Sequence, residues 1–435
     1  MKTVGESSLV VAPPKTAVLL GVERMAPDFP MAGALIPVLG RSPFQRHLKH
    51  LGGLGVRRII VPLPGSAEGA ALEEQCRQQA PPVLLDGCDL VFAHPGSEGR
   101  SDPSEDDDAV VLVAADSVLD PRLYRVVFGA AVPAWVGDRS DQTGDKGYGE
   151  VVGVGLRTVS GPPDGATHEF VGGLEERILV DELDTYLPDL RRTLRPYWVS
   201  ARSADDRARA ADRILDSAQK GVLDLPARYL HPPVENFLAR LLSRTPVTPN
   251  HVTFITAITG FTATYLFATG SYGLGLVLAL VTNVLDGVDG KLARIKLQTS
   301  PFGNALDHTL DVSFEFSWYV ALGWGLSGGV VRSGPFGAAL ALIAIMIGTR
   351  GISGLYKLIT GRQIHDHRAF DRAVRLVAGR RNIYVMFLLA GFFVDRVGAA
   401  FTLCLWWALG TLGVYVARTM MAWAMRRSSG ATESV

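Results

Sequence analysis

Four aspartates stand at fixed intervals with two glycines, an alanine and an arginine: Asp286, Asp289, Gly290, Ala293, Arg294, then Gly303, Asp307 and Asp311. On a helix turning about 100° per residue, the first five share one broad face, and the last three recur every fourth residue as a second stripe. Both stripes lie in otherwise apolar sequence, where an unpaired carboxylate is expensive. Carboxylates crowded into one site at membrane depth call for a cation between them. Because the donors are all hard oxygens, magnesium, calcium or manganese would suit them.

The elements that must position these stripes are apolar helices. From Val252 onward, apolar runs occupy about 252–270, 273–291, 303–327, 335–358, 383–396 and 398–425. All but the fifth are long enough to cross a hydrocarbon core of ~30 Å. Pro301 helps to end one helix and start the next, so the two carboxylate stripes can face one cavity. Six spans leave both ends of the bundle on one side of the membrane. Arg240, Arg244, Lys291, Arg294, Lys296, Lys357, Arg362, Arg368, Arg372, Arg375, Arg380, Arg381, Arg426 and Arg427 fall in alternate segments, whereas the other connections carry only Arg332 and Arg396. By the positive-inside rule, the N-terminus, the aspartates and the C-terminus face the cytoplasm of a multi-pass cell-membrane protein. The expectation is an all-α six-helix transmembrane bundle over 251–427, with a C-terminal tail at 428–435.

Ahead of the bundle the pattern changes. A loose tail at 1–14, without a signal sequence, precedes an α/β doubly wound domain over 15–200. Thr16–Leu20, Arg58–Val61 and Asp108–Asp116 suit buried parallel strands, and Pro43–Leu54 has helical periodicity with Phe44, Leu48, Leu51 and Leu54 on one face. Ser97–Asp108 reads as an acidic exposed loop. Residues 201–250 carry a charged bridging helix and then an amphipathic interfacial one, whose apolar set is Leu230, Val234, Phe237, Leu238, Leu241 and Leu242. The chain is therefore multidomain. Its formal net charge is zero, with no basic field to suggest nucleic acid. Three cysteines, Cys76, Cys88 and Cys404, make no disulfide framework. His365 and His367 read as a solvated surface pair, and no function is attached to them.

The spacing Asp-x-x-Asp-Gly-x-x-Ala-Arg, eight residues, Gly-x-x-x-Asp-x-x-x-Asp resembles the signature of the CDP-alcohol phosphotransferase family at every fixed position. The resemblance implies transfer of a phosphoalcohol group from CDP-diacylglycerol or another CDP-alcohol to an acceptor hydroxyl, with release of CMP. It implies two divalent ions, magnesium or manganese, on Asp286, Asp289, Asp307 and Asp311, with Asp311 also serving as general base. Gly290, Ala293 and Gly303 would let the nucleotide approach the backbone. Arg294 would meet a phosphate or else snorkel to the interface. Asn250 would lie near the nucleotide or else cap the helix starting at Val252. Arg350, Lys357 and Arg381 are candidates for binding a phosphorylated acceptor, the competing reading being inward-side charge bias or lipid headgroup contact. Related fusions often carry an acid where this chain has Asn382. Homodimers are common in the family.

A second resemblance is carried by Ala34–Phe44 (ALIPVLGRSPF) and Val113–Pro121 (VAADSVLDP). They look like the stretch after the phosphate loop, and the strand-end metal aspartate, of sugar-phosphate nucleotidylyltransferases. The departures are a glycine-poor segment after Leu20, Gly33 where a lysine is expected, and no aspartate near Tyr197–Arg202. They imply a degenerate domain without cytidylyltransferase activity. The alternatives are a bifunctional cytidylyltransferase/CDP-polyol phosphotransferase of the inositol-phosphate type, and a catalytically silent membrane scaffold.

Overall fold

A computed structural model describes residues 15–94, 110–128, 134–137, 154–157, 176–179 and 183–432. Thus the 1–14 tail and all of the Ser97–Asp108 loop lie outside the described residues. The chain forms two compact units, Met1–Tyr186 with Thr193–Ser217, and Leu187–Arg192 with Ala218–Val435.

The first unit is built on a seven-stranded sheet of order β3-β2-β1-β4-β7-β6-β8. Its strands are β1 Thr16–Leu20, β2 Arg58–Pro62, β3 Asp89–Ala93, β4 Val110–Ala114, β5 Ser117–Leu119 (outside this sheet), β6 Ala134–Gly137, β7 Val154–Arg157 and β8 Glu176–Leu179. β1, β2, β3 and β4 are parallel, and β7 pairs antiparallel with both β4 and β6. β1 is central in the parallel block, which is why its apolar run is continuous rather than alternating. Helix α1 (Pro43–Gly53) starts where Ser42 accepts from Gln45 N and Gln45 returns a bond to Ser42 N, with proline in the first turn. Its periodic face, Phe44, Leu48 and Leu51, is fully buried against β1, β2 and β4 side chains. Helices α2 (Ala67–Gln79), α3 (Pro82–Leu85), α4 (Pro121–Phe128) and α5 (Ala204–Ser217) complete this unit.

The second unit is helical: α6 Leu225–Tyr229, α7 His231–Ser243, α8 Pro249–Ala268, α9 Tyr272–Ile295, α10 Pro301–Leu326, α11 Gly334–Thr360, α12 Ala369–Val377, α13 Arg381–Phe393 and α14 Val397–Thr432. Among the described residues, six helices fall where six apolar runs were expected, and four of them (α8, α9, α11 and α14) are long and apolar enough to cross a membrane. A fifth is possible if α12 and α13, bent by 40°, count as one broken span. By this criterion four or five of the six expected spans stand among the described residues, for two physical reasons. α10 carries Asp307, Asp311 and Glu315, and α13 has only 13 residues, ~20 Å at 1.5 Å each. The last helix also runs on to Thr432, through most of the stretch expected to be a tail.

Close packing holds the site-bearing helices together. Gly260 of α8 lies so near Phe314 that a Cβ there would come within 2.8 Å of the ring. The indole N–H of Trp318, a buried residue of α10, donates to the Gly260 carbonyl at 2.7 Å. Small residues at such crossings let helix backbones approach, and a polar bond across them fixes register. On α7, Leu238 and Leu242 pack on Val252, Val288 and Leu292, whereas Val234, Phe237 and Leu241, and Leu230 just before the helix, are exposed. The amphipathic pattern is thus split between a packed face and an open one.

Candidate active site: a carboxylate cluster between two helices

The cluster forms because a short connector joins α9 to α10. α9 ends in a Schellman turn: Gln298 N donates to the Ala293 carbonyl at 2.8 Å and Leu297 N to the Arg294 carbonyl at 3.3 Å. Leu297 holds the left-handed position, φ +57°, that glycine usually takes. Three residues later Ser300 caps α10, accepting from Gly303 N at 3.0 Å, with Pro301 at the first helical position. The chain therefore reverses within five residues, and the stripe on each helix meets the other.

Oxygens of Asp286, Asp307 and Asp311 lie within 4.8 Å of one another. Asp289 stands apart from this trio: its Oδ2 accepts from Thr253 Oγ1 of α8 at 2.8 Å, and it is buried. Three of the four expected carboxylates thus converge, and the fourth is held on the same helix face by a neighbouring hydroxyl. Arg381, the first residue of α13, reaches into the trio. Its Nη2 donates to Asp286 Oδ2 at 2.7 Å and its Nη1 to Asp311 Oδ1 at 3.0 Å. The guanidinium lies over the Phe314 ring, 4.9 Å from its centroid. Arg381 is the one guanidinium among the described residues that pairs directly with this group of acids. All-oxygen donors with excess negative charge fit a hard divalent cation such as magnesium or manganese.

The other sequence candidates separate. Gly303 faces Asn250, whose Oδ1 would lie 3.2 Å from a Cβ added at Gly303. Asn250 does not cap α8; Thr248 does, accepting from His251 N at 3.4 Å, because the helix already begins at Pro249. Arg294 neither snorkels nor stands open: its Nε donates to the Ala218 carbonyl at 2.8 Å and its guanidinium covers Gly290. Ala293 lies a turn beyond Asp289, on the same face of α9. Arg350 is not brought to the aspartate trio; it pairs with Glu315 Oε2 at 2.8 Å, one turn beyond Asp311, and lies over Phe316. Lys357 is exposed on α11.

Neither histidine is the solvated surface residue expected. His367 Nδ1 meets Tyr356 OH at 2.5 Å and His365 Nδ1 meets Tyr415 OH at 3.2 Å. Burial first, then the guanidiniums of Arg375, Arg380 and Arg191, push His365 down to about 2. A positive cluster therefore surrounds that loop. Within it Arg375 is buried with Nε and Nη1 lacking a hydrogen-bond partner. Asn382 Nδ2 donates to Asp224 Oδ1 at 2.9 Å, and Asp224 caps α6. An acid at 382 would oppose that carboxylate, which accounts for the amide.

In the first unit, Asp116 follows β4 and is 2% exposed. Arg202 Nε donates to its Oδ2 at 2.5 Å and Arg24 Nη1 lies 3.5 Å from the same oxygen.

Residues the motif did not flag also take part. Thr253, Glu315 and the pair Glu235–Lys291 each contact the motif or its helices. Thr253, one turn into α8, was the one with a signal: a hydroxyl at helical spacing from the preceding polar turn.

Residues 246–412 match the family model for CDP-alcohol phosphatidyltransferase. The chain is 28% identical over 188 residues to the bifunctional IPC transferase and DIPP synthase of Aquifex aeolicus, covering 43% of this chain and 42% of that protein. It is 35% identical over 107 residues to the phosphatidylinositol phosphate synthase of Mycobacteroides abscessus, 23% of this chain and 49% of that protein. The chain thus spans less than half the length of these curated relatives. Among solved structures, it is similar to Mycobacterium tuberculosis phosphatidylinositol phosphate synthase with CDP-DAG bound, at 18% identity and a TM-score of 0.35, covering 43% of this chain and 94% of that one.

Proposed function

We propose that this multi-pass membrane protein, whose residues 246–412 form a CDP-alcohol phosphatidyltransferase domain, moves a phosphatidyl group from CDP-diacylglycerol, or another CDP-alcohol, to an acceptor hydroxyl and releases CMP. The observation that carries this reading is the convergence of Asp286, Asp307 and Asp311 within 4.8 Å beside Asp289, in the spacing of that family's signature. Asp286, Asp289, Asp307 and Asp311 would hold two magnesium or manganese ions. Bound there, such ions would neutralise the pyrophosphate and the entering and leaving oxygens.

The chain's own groups supply the rest. Asp311 accepts the proton of the acceptor hydroxyl as that oxygen bonds to phosphorus. The bond from phosphorus to the CMP oxygen breaks, and CMP leaves with the electron pair. Gly290 and Gly303 carry no side chains of their own, so movement of the Arg294 guanidinium and of Asn250, which lie over them, would admit the nucleotide to the helix backbones. Ala293 keeps the same face low.

The acceptor side rests on Arg381 and on Arg375. Arg375 has two buried N–H groups without a partner, beside Arg380, which supports an anionic acceptor. The phosphatidylinositol phosphate synthase name of one relative supports a phosphorylated polyol. Arg350, neutralised by Glu315, and exposed Lys357 fit that role less well than Arg375. The alternation of basic segments supports a cytoplasmic site and cytoplasmic termini.

Asp116, already held by two guanidiniums, supports a front domain without cytidylyltransferase activity. Pyrophosphate release from CTP by the full chain would overturn that part. The decisive experiment offers labelled CDP-diacylglycerol and a panel of phosphorylated and free polyols to the membrane protein, and reads CMP and product mass. A chain that releases no CMP with any acceptor sinks the transferase reading.

A further inference from the structure

We propose that Glu235 and Lys291 form a positioning pair that grips α9 from behind and sets the register of Asp286 and Asp289. The inference rests on the reading of those aspartates as metal ligands. Lys291 sits inside the signature, at a position the signature leaves free, and is 1% exposed. Its Nζ lies 2.8 Å from Glu235 Oε2 and donates to Asn236 Oδ1 at 2.7 Å, so two consecutive residues of α7 hold one ammonium. Glu235 itself is 3% exposed.

The pair lies on the far side of the helix from the chemistry. At about 100° per residue, positions 287 and 291 lie roughly 150° round from the Asp286–Asp289 face. Gly287 makes the grip possible. A Cβ there would stand 2.3 Å from Glu235 Oε1, so only glycine lets the carboxylate rest on the α9 backbone. That carboxylate is the end of a flexible side chain, yet moving it would break the Lys291 pair.

Why should a buried ion pair be here at all? Apolar packing between α7 and α9 already exists, with Leu238 and Leu242 against Val288 and Leu292. Replacing buried ion pairs by apolar residues is often neutral or stabilising, so adhesion does not need this one. What charge and direction add is a single register. Two further tethers act in the same sense: Arg294 Nε to the Ala218 carbonyl, and Lys296 Nζ to the Thr245 and Val247 carbonyls at 2.6 and 2.7 Å. Lys291, Arg294 and Lys296 are thus all tied to the preceding segment.

The test uses the full-length protein in lipid nanodiscs, with CMP release and Mn2+ binding followed by electron paramagnetic resonance. Glu235→Gln and Lys291→Met are expected to lower kcat by about tenfold to a hundredfold, the cost of an ångström of misplacement, with KM for CDP-diacylglycerol within about threefold. Both should weaken Mn2+ binding, although neither touches the metal carboxylates. The exchanged pair Glu235→Lys with Lys291→Glu should recover most of both losses. Gly287→Ala should reproduce the loss in the parent protein and add nothing further in a Glu235→Ala background, a coupling that independent sites would not give. Wild-type kcat and Mn2+ affinity in the single variants, with only thermal stability reduced, would overturn the proposal. So would additive losses for Gly287→Ala and Glu235→Ala. If the parent protein released no CMP, the transferase reading would fail, while the Mn2+ series would still decide the role of the pair.

Discussion

Asp116, past the end of β4, and Asp286, near the end of α9, are both carboxylates that a sequence reader would offer to a metal. Their surroundings differ in one countable respect. Asp116 is a single acid between two guanidiniums, Arg24 and Arg202. Asp286 shares its site with Asp307 and Asp311, and one guanidinium, Arg381, spans Asp286 and Asp311. Around Asp116 the protein's own cations already outnumber the acid. In the helical site the acids outnumber the cation, and the shortfall is what a divalent ion would fill. The ratio of acids to built-in cations, more than the presence of an aspartate at an element's end, separates a structural carboxylate from a metal site.

The contrast breaks most visibly by removing one acid from each site. Asp311→Asn is expected to lower CMP release by about a thousandfold or more, as is chelation of divalent ions, whereas Asp116→Asn should leave it within about twofold. Comparable losses in both variants would end the distinction. Metal binding gives the same contrast without turnover: Asp307→Asn should weaken Mn2+ binding at least ~10-fold, with Asp116→Asn unchanged by paramagnetic resonance. Stability should show the reverse order. Asp116→Ala strands two arginines beside a buried position and should cost the first unit about 2 kcal/mol, read by chemical denaturation.

pH should sharpen the difference between the units from another side. Burial pushes His47 of α1 down to about 3, with His50 adding to it, and burial pushes His50 down to about 4. Both folded values lie below the ordinary 6.5, so the unfolded chain takes up protons that the folded one refuses. Stability from these histidines is complete above about pH 6.5 and falls by up to ~1.4 kcal/mol per pH unit and per histidine as pH drops toward the folded values. His47→Phe should flatten that slope in denaturation curves. The smallest effect belongs to the connector: Leu297→Gly relieves a left-handed residue and should stabilise the helical unit by ~0.5–1 kcal/mol.

Much of this was legible in the chain itself. The signature placed Asp286, Asp289, Asp307 and Asp311 on facing helix ends, and apolar runs located all six long helices. Strands β1, β2 and β4 of the parallel block followed from short continuous apolar runs, whereas β3 did not. The failures have physical causes. Length alone does not decide whether α10 spans, because Asp307, Asp311 and Glu315 make it polar. Asn250 is not a cap because Thr248 and Pro249 start the helix three residues before Val252. Arg381 lies 70 residues beyond Asp311, and periodicity says nothing about contacts at that distance. The Glu235–Lys291 pair has no sequence signal: Lys291 sits at a free position of the motif, and Glu235 lies 56 residues earlier, on another helix.

The tight turn between α9 and α10 also bears on the order of assembly. All four aspartates lie within one helical hairpin closed by five residues, so their meeting is a local event with a small loop-closure cost. Arg381 arrives only when a helix 70 residues further along the chain docks. Mutual repulsion among the acids is therefore present as soon as the hairpin closes, and its relief waits on α13. Formation of the late helices is thereby coupled by charge to a site that their own sequence scarcely enters.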